Sequence, residues 1–309
     1  MPDTKAKAPK RSSKKAKNLL QRDIMTEIIP DLLNYFREKN INATDEQLSR
    51  IAARVSEMAS YQAKVAIFGK TGSGKSSLCN AVFGEDVAPV SDIEACTRSP
   101  QEYLLQLAPD KSIILVDVPG VGESVERDQE YLPLYESLLP QVDLLLWVVR
   151  CDDRAMTIDL HVWTELVRKR LGQAAPACIV FNQVDRVNPV REWNVKKNEP
   201  GAKQREIIEG RIQIIARDFA LPASDVVAVS SVEGFGITAL VEHIVHALPN
   251  DKKLPFLNAV REERRSESAK TEAKKGFFEA VGQWIKNSFT AIEPYIPTII
   301  DVIRILFKK

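Results

Sequence analysis

A short glycine-rich segment, GKTGSGKS at residues 69–76, lies between an apolar run at 64–68 and a helical pattern at 75–83. Glycines let successive backbone N–H groups wrap around an anion, and the N-terminus of the following helix adds partial positive charge. In this pattern Lys75 would reach the β- and γ-phosphates, and the Ser76 hydroxyl would ligate Mg²⁺. The segment therefore predicts a nucleoside triphosphate site. Its predicted contacts are Gly69, Lys70, Thr71, Gly72, Ser73, Gly74, Lys75, Ser76 and Ser77.

A second segment, DVPG at 117–120, ends a later apolar run. Asp117 could hold Mg²⁺ through a water, and the N–H of Gly120 could contact the γ-phosphate and move when that phosphate leaves. Asp-x-Pro-Gly is also a common turn, so the segment alone says little. Its place at a strand end, after the glycine-rich segment, favours the functional interpretation.

A third segment, NQVD at 182–185, ends another apolar run, on the side of the predicted sheet where ligands of open α/β folds bind. Asp185 could accept hydrogen bonds from the N1–H and 2-amino groups of guanine, whereas adenine would leave this carboxylate unpaired. Asn182 would tie the segment to the glycine-rich loop. In SSVEGFG at 230–236 a backbone N–H could meet guanine O6. The predicted base contacts are Asn182, Gln183, Asp185, Ser230 and Ser231.

Short apolar runs alternate with helical patterns along the central part of the chain. The runs lie at 64–68, 112–117, 142–149, 177–182 and 225–230, and the helical patterns at 75–83, 125–139, 158–171, 202–219 and 237–247. Apolar strands alternating with helices indicate a parallel sheet covered on both faces. A tight link joins 100–107 to the run at 112–117, which favours an antiparallel pair. The predicted fold class is therefore α/β, with a mostly parallel six-stranded sheet and one antiparallel edge strand.

The ordered series GKTGSGKS, DVPG, NQVD and SS resembles the motif set of the translation-factor-like GTPases, and within them the Era-like branch. The segments GKTGSGKSSLCNAVFG, ACTR and DVPGVGES are similar in sequence to those of the prophage-encoded Era-like GTPases of bacteria. The glycine-rich loop (P-loop) also resembles that of immunity-related GTPases. The resemblance covers about residues 61–250. It implies a Ras-like domain that binds Mg²⁺ with GTP or GDP, hydrolyses GTP and reorders its loops on hydrolysis.

The resemblance also assigns roles to single residues. Thr97 in ACTRS is similar to the switch threonine that ligates Mg²⁺ in the triphosphate state. The implied Mg²⁺ ligands are Ser76, Thr97 and Asp117, and the implied catalytic residues are Lys75, Thr97 and Gly120.

Three departures from the family pattern bear on these roles. Gln183 stands where the guanine motif has a lysine, which predicts a retained base contact with lower affinity. Val121 follows DVPG in place of a glutamine that would orient the attacking water, an apolar substitution that Era-like enzymes share. This predicts a low intrinsic hydrolysis rate. Gly72 stands where potassium-activated relatives have an asparagine, so the resemblance does not predict a potassium requirement.

The two ends of the chain differ from its centre in charge. The net charge is +1, yet residues 1–20 hold seven basic and one acidic residue, and 251–309 hold twelve basic and eight acidic residues. We expect four parts, a basic disordered tail at 1–17, N-terminal helices at 18–60, a GTPase domain at 61–250 and C-terminal amphipathic helices at 251–309. Thr44 and Gln47 form a capping-box signature at the start of the second N-terminal helix.

Three interpretations of the C-terminal helices stay open. The helices could pack on the N-terminal ones as a helical domain. They could lie on a membrane surface through residues 276–309. They could serve self-association, and a homodimer through the GTPase domain is a related possibility. The basic tail lacks interleaved aromatic residues, so nucleic-acid binding is disfavoured.

The cysteines and the hydropathy favour a cytoplasmic protein, or one peripheral at the inner face of the membrane. Cys79, Cys96, Cys151 and Cys178 have neither metal-ligand spacing nor a dense disulfide framework. No stretch approaches the roughly 20 apolar residues that span a bilayer, and no secretory signal pattern is visible.

Two functional hypotheses follow from the motifs and the ends. The first is a Mg²⁺-dependent GTP-binding and GTP-hydrolysing switch. The alternative is a nucleotide-gated, membrane-associated or self-assembling GTP-binding protein with negligible intrinsic hydrolysis. An ATPase would rest on the P-loop alone and is disfavoured by Asp185.

Overall fold

The computed structural model describes a large part of the chain in two compact units. The described residues are 30, 34, 37, 38, 43–84, 104–106, 113–117, 139–153, 156–167 and 176–306, with the backbone alone at 104–106, 113–117, 158, 166, 167, 305 and 306. The units are Tyr61–Phe277, here termed the sheet unit, and Met1–Ser60 with Phe278–Lys309, here termed the terminal unit. Predicted features that lie outside the described residues are the tail at 1–17, most of the helical patterns at 18–39 and 125–139, Cys96, Thr97, Gly120 and Val121.

A single sheet organises the sheet unit. Its strands are β1 (Ala63–Phe68), β2 (Leu104–Gln106), β3 (Ile113–Asp117), β4 (Leu144–Arg150), β5 (Ala177–Asn182) and β6 (Val226–Ala228). Their order across the sheet is β2-β3-β1-β4-β5-β6. All neighbours are parallel except β2 and β3, which pair antiparallel as the tight link between them predicts. The chain leaves β1 toward β3 on one side and β4 on the other, so the crossover direction reverses at the carboxyl end of β1.

Burial of the central strands explains their apolar composition. Nearly every side chain of β1, β4 and β5 is buried, which confirms the predicted α/β fold with a parallel sheet covered on both faces. Aromatic residues pack against β4. The ring of Trp147 lies 5.6 Å from that of Trp163 and 6.2 Å from that of Phe219, measured between centroids. The Trp163 indole N–H donates to Phe219 O at 3.0 Å.

Eight α-helices are described in the two units together. They are α1 (Asp45–Ala59), α2 (Lys75–Phe83), α3 (Thr157–Val162), α4 (Ala202–Phe219), α5 (Ile237–Ala247), α6 (Asn250–Ala259), α7 (Glu267–Ser288) and α8 (Ile296–Leu306). Helices α4 and α5 have the bounds predicted from the sequence. Helix α3 continues as a π-helical turn over Trp163–Val167.

Helix α6 was not predicted from the sequence. Pro255 lies inside it, and every side chain from Lys253 to Leu257 is buried. A short helix that is buried around its circumference has no amphipathic period, so hydrophobic patterning in the sequence does not predict the helix. The sheet unit therefore extends through α6 and the first part of α7 to Phe277, beyond residue 250.

The terminal unit brings α1 together with the end of α7 and α8. The predicted capping box is present, with Gln47 N donating to Thr44 Oγ1 at 3.2 Å and Thr44 N donating to Gln47 Oε1 at 2.8 Å. The Phe289 ring lies 5.0 Å from the Arg50 guanidinium and 5.6 Å from the Trp284 ring. No helix among the described residues is long and apolar enough to cross a membrane.

Candidate nucleotide-binding site

The P-loop runs from β1 into α2 through backbone conformations that glycine adopts freely. Gly69 has a φ of 143°, and a β-carbon there would lie 2.4 Å from Val148 O. Gly74 has a φ of 90°, and a β-carbon there would lie 2.4 Å from Asn182 Nδ2. Both distances are too short for real atoms, so the absence of side chains lets the loop pack against β4 and the end of β5.

Lys75 opens α2 and its ammonium lies across the P-loop. Its Nζ donates to Gly69 O at 2.9 Å and to Lys70 O at 3.3 Å. Ser76 follows it in the first helical turn, which carries no acidic residue. A lysine held over a glycine-rich loop at a helix N-terminus is an anion-binding arrangement.

The side-chain amide of Asn182 joins two loops. Asn182 is fully buried at the end of β5. Its Nδ2 donates to Ser73 O of the P-loop at 2.9 Å. Its Oδ1 accepts from Ser231 N at 3.1 Å and from Ser231 Oγ at 2.9 Å. The predicted tie between the NQVD segment and the P-loop is therefore present, and the loop after β6 is held by the same amide.

Gln183 adds a second link between the NQVD segment and the P-loop. It has a φ of 62°, and its Nε2 donates to Gly72 O at 3.0 Å. The next residues form a 3-10 turn over Val184–Arg186, in which Asp185 is half-buried. The residue that replaces the family's lysine thus braces the P-loop through an amide.

The loop at 230–236 uses most of its own N–H groups inside the protein. Ser230 N donates to Phe235 O at 3.0 Å, and Ser231 N is engaged by Asn182. Glu233 N donates to Ser230 Oγ, and Gly234 N donates to Ser230 O. Within 230–234, only the N–H of Val232 donates to no group in the described part of the chain, and Val232 is 73% exposed. Among the N–H groups at 230–234, the one that has no acceptor in the described ranges is therefore that of Val232, while those of Ser230 and Ser231 are engaged.

The predicted metal ligands are only partly described. Asp117 ends β3 and is paired across the sheet with Ile67 of β1, so its backbone lies at the edge from which the P-loop departs. Thr97 and Gly120 lie outside the described residues. A serine hydroxyl and a carboxylate are hard oxygen ligands, which suit Mg²⁺. No group of three or more His, Cys, Asp or Glu side chains in the described ranges could hold a metal ion by itself.

One network at the P-loop was missed in the sequence. Lys70 Nζ lies 2.8 Å from Asp153 Oδ2 and 2.8 Å from Asp159 Oδ2. Asp159, in α3, is 1% exposed and its Oδ1 accepts from Trp147 Nε1 at 3.2 Å. Asp153 lies in the turn after β4 and Asp159 in α3, and neither position gives a sequence signal that the side chain contacts the P-loop.

The charges of this network shift each other's pKa values. Burial raises the pKa of Asp159, while hydrogen bonds from Lys70 and Trp147 oppose the rise. Burial acts to lower the pKa of Lys70, but Asp153 and Asp159 outweigh it and hold that pKa above its ordinary value. The Lys70 ammonium thus forms ion pairs with the carboxylates of Asp153 and Asp159.

Known proteins share these features. A family described as "50S ribosome-binding GTPase" matches residues 64–183. YfjP of Escherichia coli K12 is 35% identical over 259 residues, covering 82% of this chain and 87% of that protein. YkfA of the same strain is 33% identical over 257 residues with the same coverage. The GTPase Era of Thermoanaerobacter sp. X514 is 28% identical over 190 residues, which are 61% of this chain and 55% of that protein.

The similarity to YfjP and YkfA extends over most of both chains, whereas the similarity to Era spans little more than half of Era. The matched family is one of GTPases, and the P-loop geometry described above is an anion-binding arrangement of the kind that binds nucleotide phosphates. The chain belongs to the Era-like P-loop GTPases, in the group that contains YfjP and YkfA.

Proposed function

We propose that this protein is a Mg²⁺-dependent molecular switch that binds GTP and hydrolyses it to GDP and phosphate. The observation that carries the proposal is the buried amide of Asn182, which contacts Ser73 of the P-loop and Ser231 of the loop after β6. One side chain thereby aligns the phosphate-binding loop, the Asp185 segment and the third loop at one edge of the sheet.

The phosphate end of the nucleotide would be held by the P-loop. Its N–H groups and the N-terminus of α2 attract the negative charge, and the Lys75 ammonium, which now bonds Gly69 O and Lys70 O, would reach the β- and γ-phosphates. Ser76 and Asp117, with Thr97, would hold Mg²⁺, which would neutralise charge on the same phosphates. Gly120 would contact the γ-phosphate through its N–H.

The base end would be read by a carboxylate and a backbone N–H. Asp185 would accept from the N1–H and the 2-amino group of guanine, a pattern that adenine does not offer. Ser230 N and Ser231 N are engaged within the protein, so the N–H of Val232 would donate to guanine O6. Ser231 then contributes by fixing Asn182, and Gln183 by bracing Gly72.

Hydrolysis of GTP needs a group that orients the attacking water. Val121 offers no polar group to orient water. We therefore propose a low intrinsic rate that a partner, or a residue outside the described ranges, would raise.

The burial of apolar residues in the terminal unit supports the helical-domain interpretation over the membrane one. Five apolar side chains of this unit are 0% exposed: Val281, Ile285, Ile292, Ile299 and Ile303. These residues would otherwise form the apolar face that inserts into a lipid surface. We propose that α1, the end of α7 and α8 form a helical domain.

Substitution of Lys75 tests the phosphate assignment. We expect Lys75→Ala to weaken binding of a fluorescent methylanthraniloyl-GDP at least about tenfold, because a charged hydrogen-bond donor to the phosphates is lost. Lys203→Ala, which removes an exposed lysine from α4, is the matched control and should bind like the wild type. Equal affinity of Lys75→Ala and the control would remove the phosphate role of the P-loop.

A further inference from the structure

The six residues at 261–266, here termed the connector, join α6 to α7 and contact the nucleotide site. Arg261 N donates to Val82 O at 3.0 Å, near the end of α2. Arg264 Nη1 donates to Gly234 O at 3.1 Å, in the loop after β6. Ser266 Oγ donates to Glu242 Oε2 at 3.0 Å, in α5. The connector is thus bonded both to the helix that follows the P-loop and to the loop that would meet the base.

The contact between Arg264 and Gly234 depends on the absence of a side chain. Gly234 has a φ of 76°, and a β-carbon there would lie 2.5 Å from Arg264 Nη2. The guanidinium therefore packs on the bare glycine backbone while it bonds the glycine carbonyl. Arg265 holds the neighbouring backbone, since its Nε and Nη2 donate to Val260 O at 2.8 Å and 2.6 Å.

Hydrogen bonds within the loop connect Gly234 to the residues that would face the base. Gly234 N donates to Ser230 O at 2.8 Å, and Ser231 N donates to Asn182 Oδ1 at 3.1 Å. Val232, whose N–H is free, lies between these two anchored points. On its other side the loop is supported by Trp193, whose ring lies 5.5 Å from that of Phe235.

We propose that Arg264 is a positioning residue for the guanine site, which fixes the turn at 232–234 so that the Val232 N–H faces the base. The proposal rests on the proposed function. It makes the connector, a charged segment outside the predicted GTPase domain, part of the machinery that discriminates between bases. Without the Arg264 contact the turn loses one of its anchors, and the N–H of Val232 is presented in a wider range of positions.

The test compares nucleotide release from full-length Arg264→Met and wild-type protein. We expect methylanthraniloyl-GDP to dissociate about tenfold faster from the variant. This is the effect expected if the free energy of one charged hydrogen bond is lost entirely from nucleotide binding. Because dissociation is measured on bound protein, partial unfolding of a sample does not affect it. Arg264→Lys should restore part of the slow release, since an ammonium can still donate to Gly234 O. Arg217→Met, which removes an exposed arginine paired with Asp218, should release at the wild-type rate.

A second measurement separates positioning of the base from general stabilisation. The probe is the diphosphate of 2-aminopurine riboside, which keeps the 2-amino group for Asp185 but lacks both O6 and the N1–H. The missing N1–H weakens its binding equally in wild type and variant, so a change in preference between them reports on O6. In Arg264→Met the preference for GDP over this analogue should narrow, because only GDP uses the Val232 N–H. If the variant weakens both ligands by the same factor, or releases GDP at the wild-type rate, Arg264 has no role in reading the base. If the wild type itself binds GDP no better than ADP, the proposed function fails and the role of Arg264 in the guanine site fails with it, whereas a defect confined to the variant tests Arg264 alone.

Discussion

Asn182 shows how one side chain can decide the geometry of a site. Its Nδ2 donates to Ser73 O of the P-loop, its Oδ1 accepts from Ser231 N and Ser231 Oγ, and all three bonds are buried. An aspartate of the same size would lose the donor to Ser73 O and place a charge among buried groups. The amide type, more than its size, is therefore what this position requires.

At the same scale, the N–H of Val232 can be tested by removing it alone. Val232→Pro eliminates the donor, whereas Val232→Ala keeps it and changes only an exposed side chain. We expect the proline variant to bind GDP about five- to tenfold more weakly, the effect of one lost hydrogen bond to the base. Fluorescence competition with methylanthraniloyl-GDP measures both variants, and matching affinities would argue against an O6 contact at this residue.

The motif residues and their order were predictable because each motif ends a strand on the same edge of a parallel sheet. The internal use of the Ser230 and Ser231 N–H groups was not predictable, since it depends on how the turn closes on Phe235 and Asn182. Motif patterns specify residue types, whereas the partner of each N–H follows from tertiary contacts.

At the scale of elements, the P-loop is tied to α3 by the Lys70 network. Lys70→Met would leave the buried carboxylate of Asp159 without its cation. We expect this to lower the free energy of unfolding by roughly 3 kcal/mol at neutral pH. The double variant Lys70→Met with Asp159→Asn should lose less of the free energy of unfolding, because it buries no unpaired carboxylate and the asparagine can still accept from the Trp147 indole.

The pH dependence of that loss follows from the raised pKa of Asp159. A carboxyl whose pKa is higher in the folded state favours folding when it is protonated, fully below its ordinary pKa and less as pH rises through the folded value. Removal of Lys70 raises that pKa further. Chemical denaturation should therefore show the Lys70→Met penalty shrinking as pH falls from 7 toward about 4. A penalty that is constant with pH would mean that Asp159 does not depend on Lys70.

The elements that were predicted well share a physical property. Helices α4 and α5 each bury one face, so their apolar residues recur with the helical period and mark both bounds. Helix α6 buries its residues from Lys253 to Leu257 and contains Pro255, so neither period nor propensity identifies it. The connector behaves likewise, because its arginines bond backbone carbonyls that no sequence pattern reveals.

At the scale of the whole molecule, the apolar residues of α7 and α8 already have protein partners in the terminal unit. Ile285 and Ile303 are fully buried, and Phe289 packs beside Arg50 of α1. We therefore expect the full-length protein not to float with anionic phospholipid vesicles in the presence of GDP or a non-hydrolysable GTP analogue. Ile285→Asp, which buries a carboxylate and should open the unit, provides a control with exposed helices. Flotation of the wild type in either nucleotide state would favour the membrane interpretation instead.

The central claim, that this chain is built to bind guanine nucleotides, is tested most directly by competition on the intact wild-type protein. Bound methylanthraniloyl-GDP is displaced with unlabelled GTP, GDP or ATP in the presence of Mg²⁺. We predict that GTP and GDP compete at concentrations at least about a hundredfold lower than ATP, because adenine leaves the Asp185 carboxylate unpaired. Displacement by ATP as readily as by GTP would contradict the base-reading role of Asp185 and with it the proposed function.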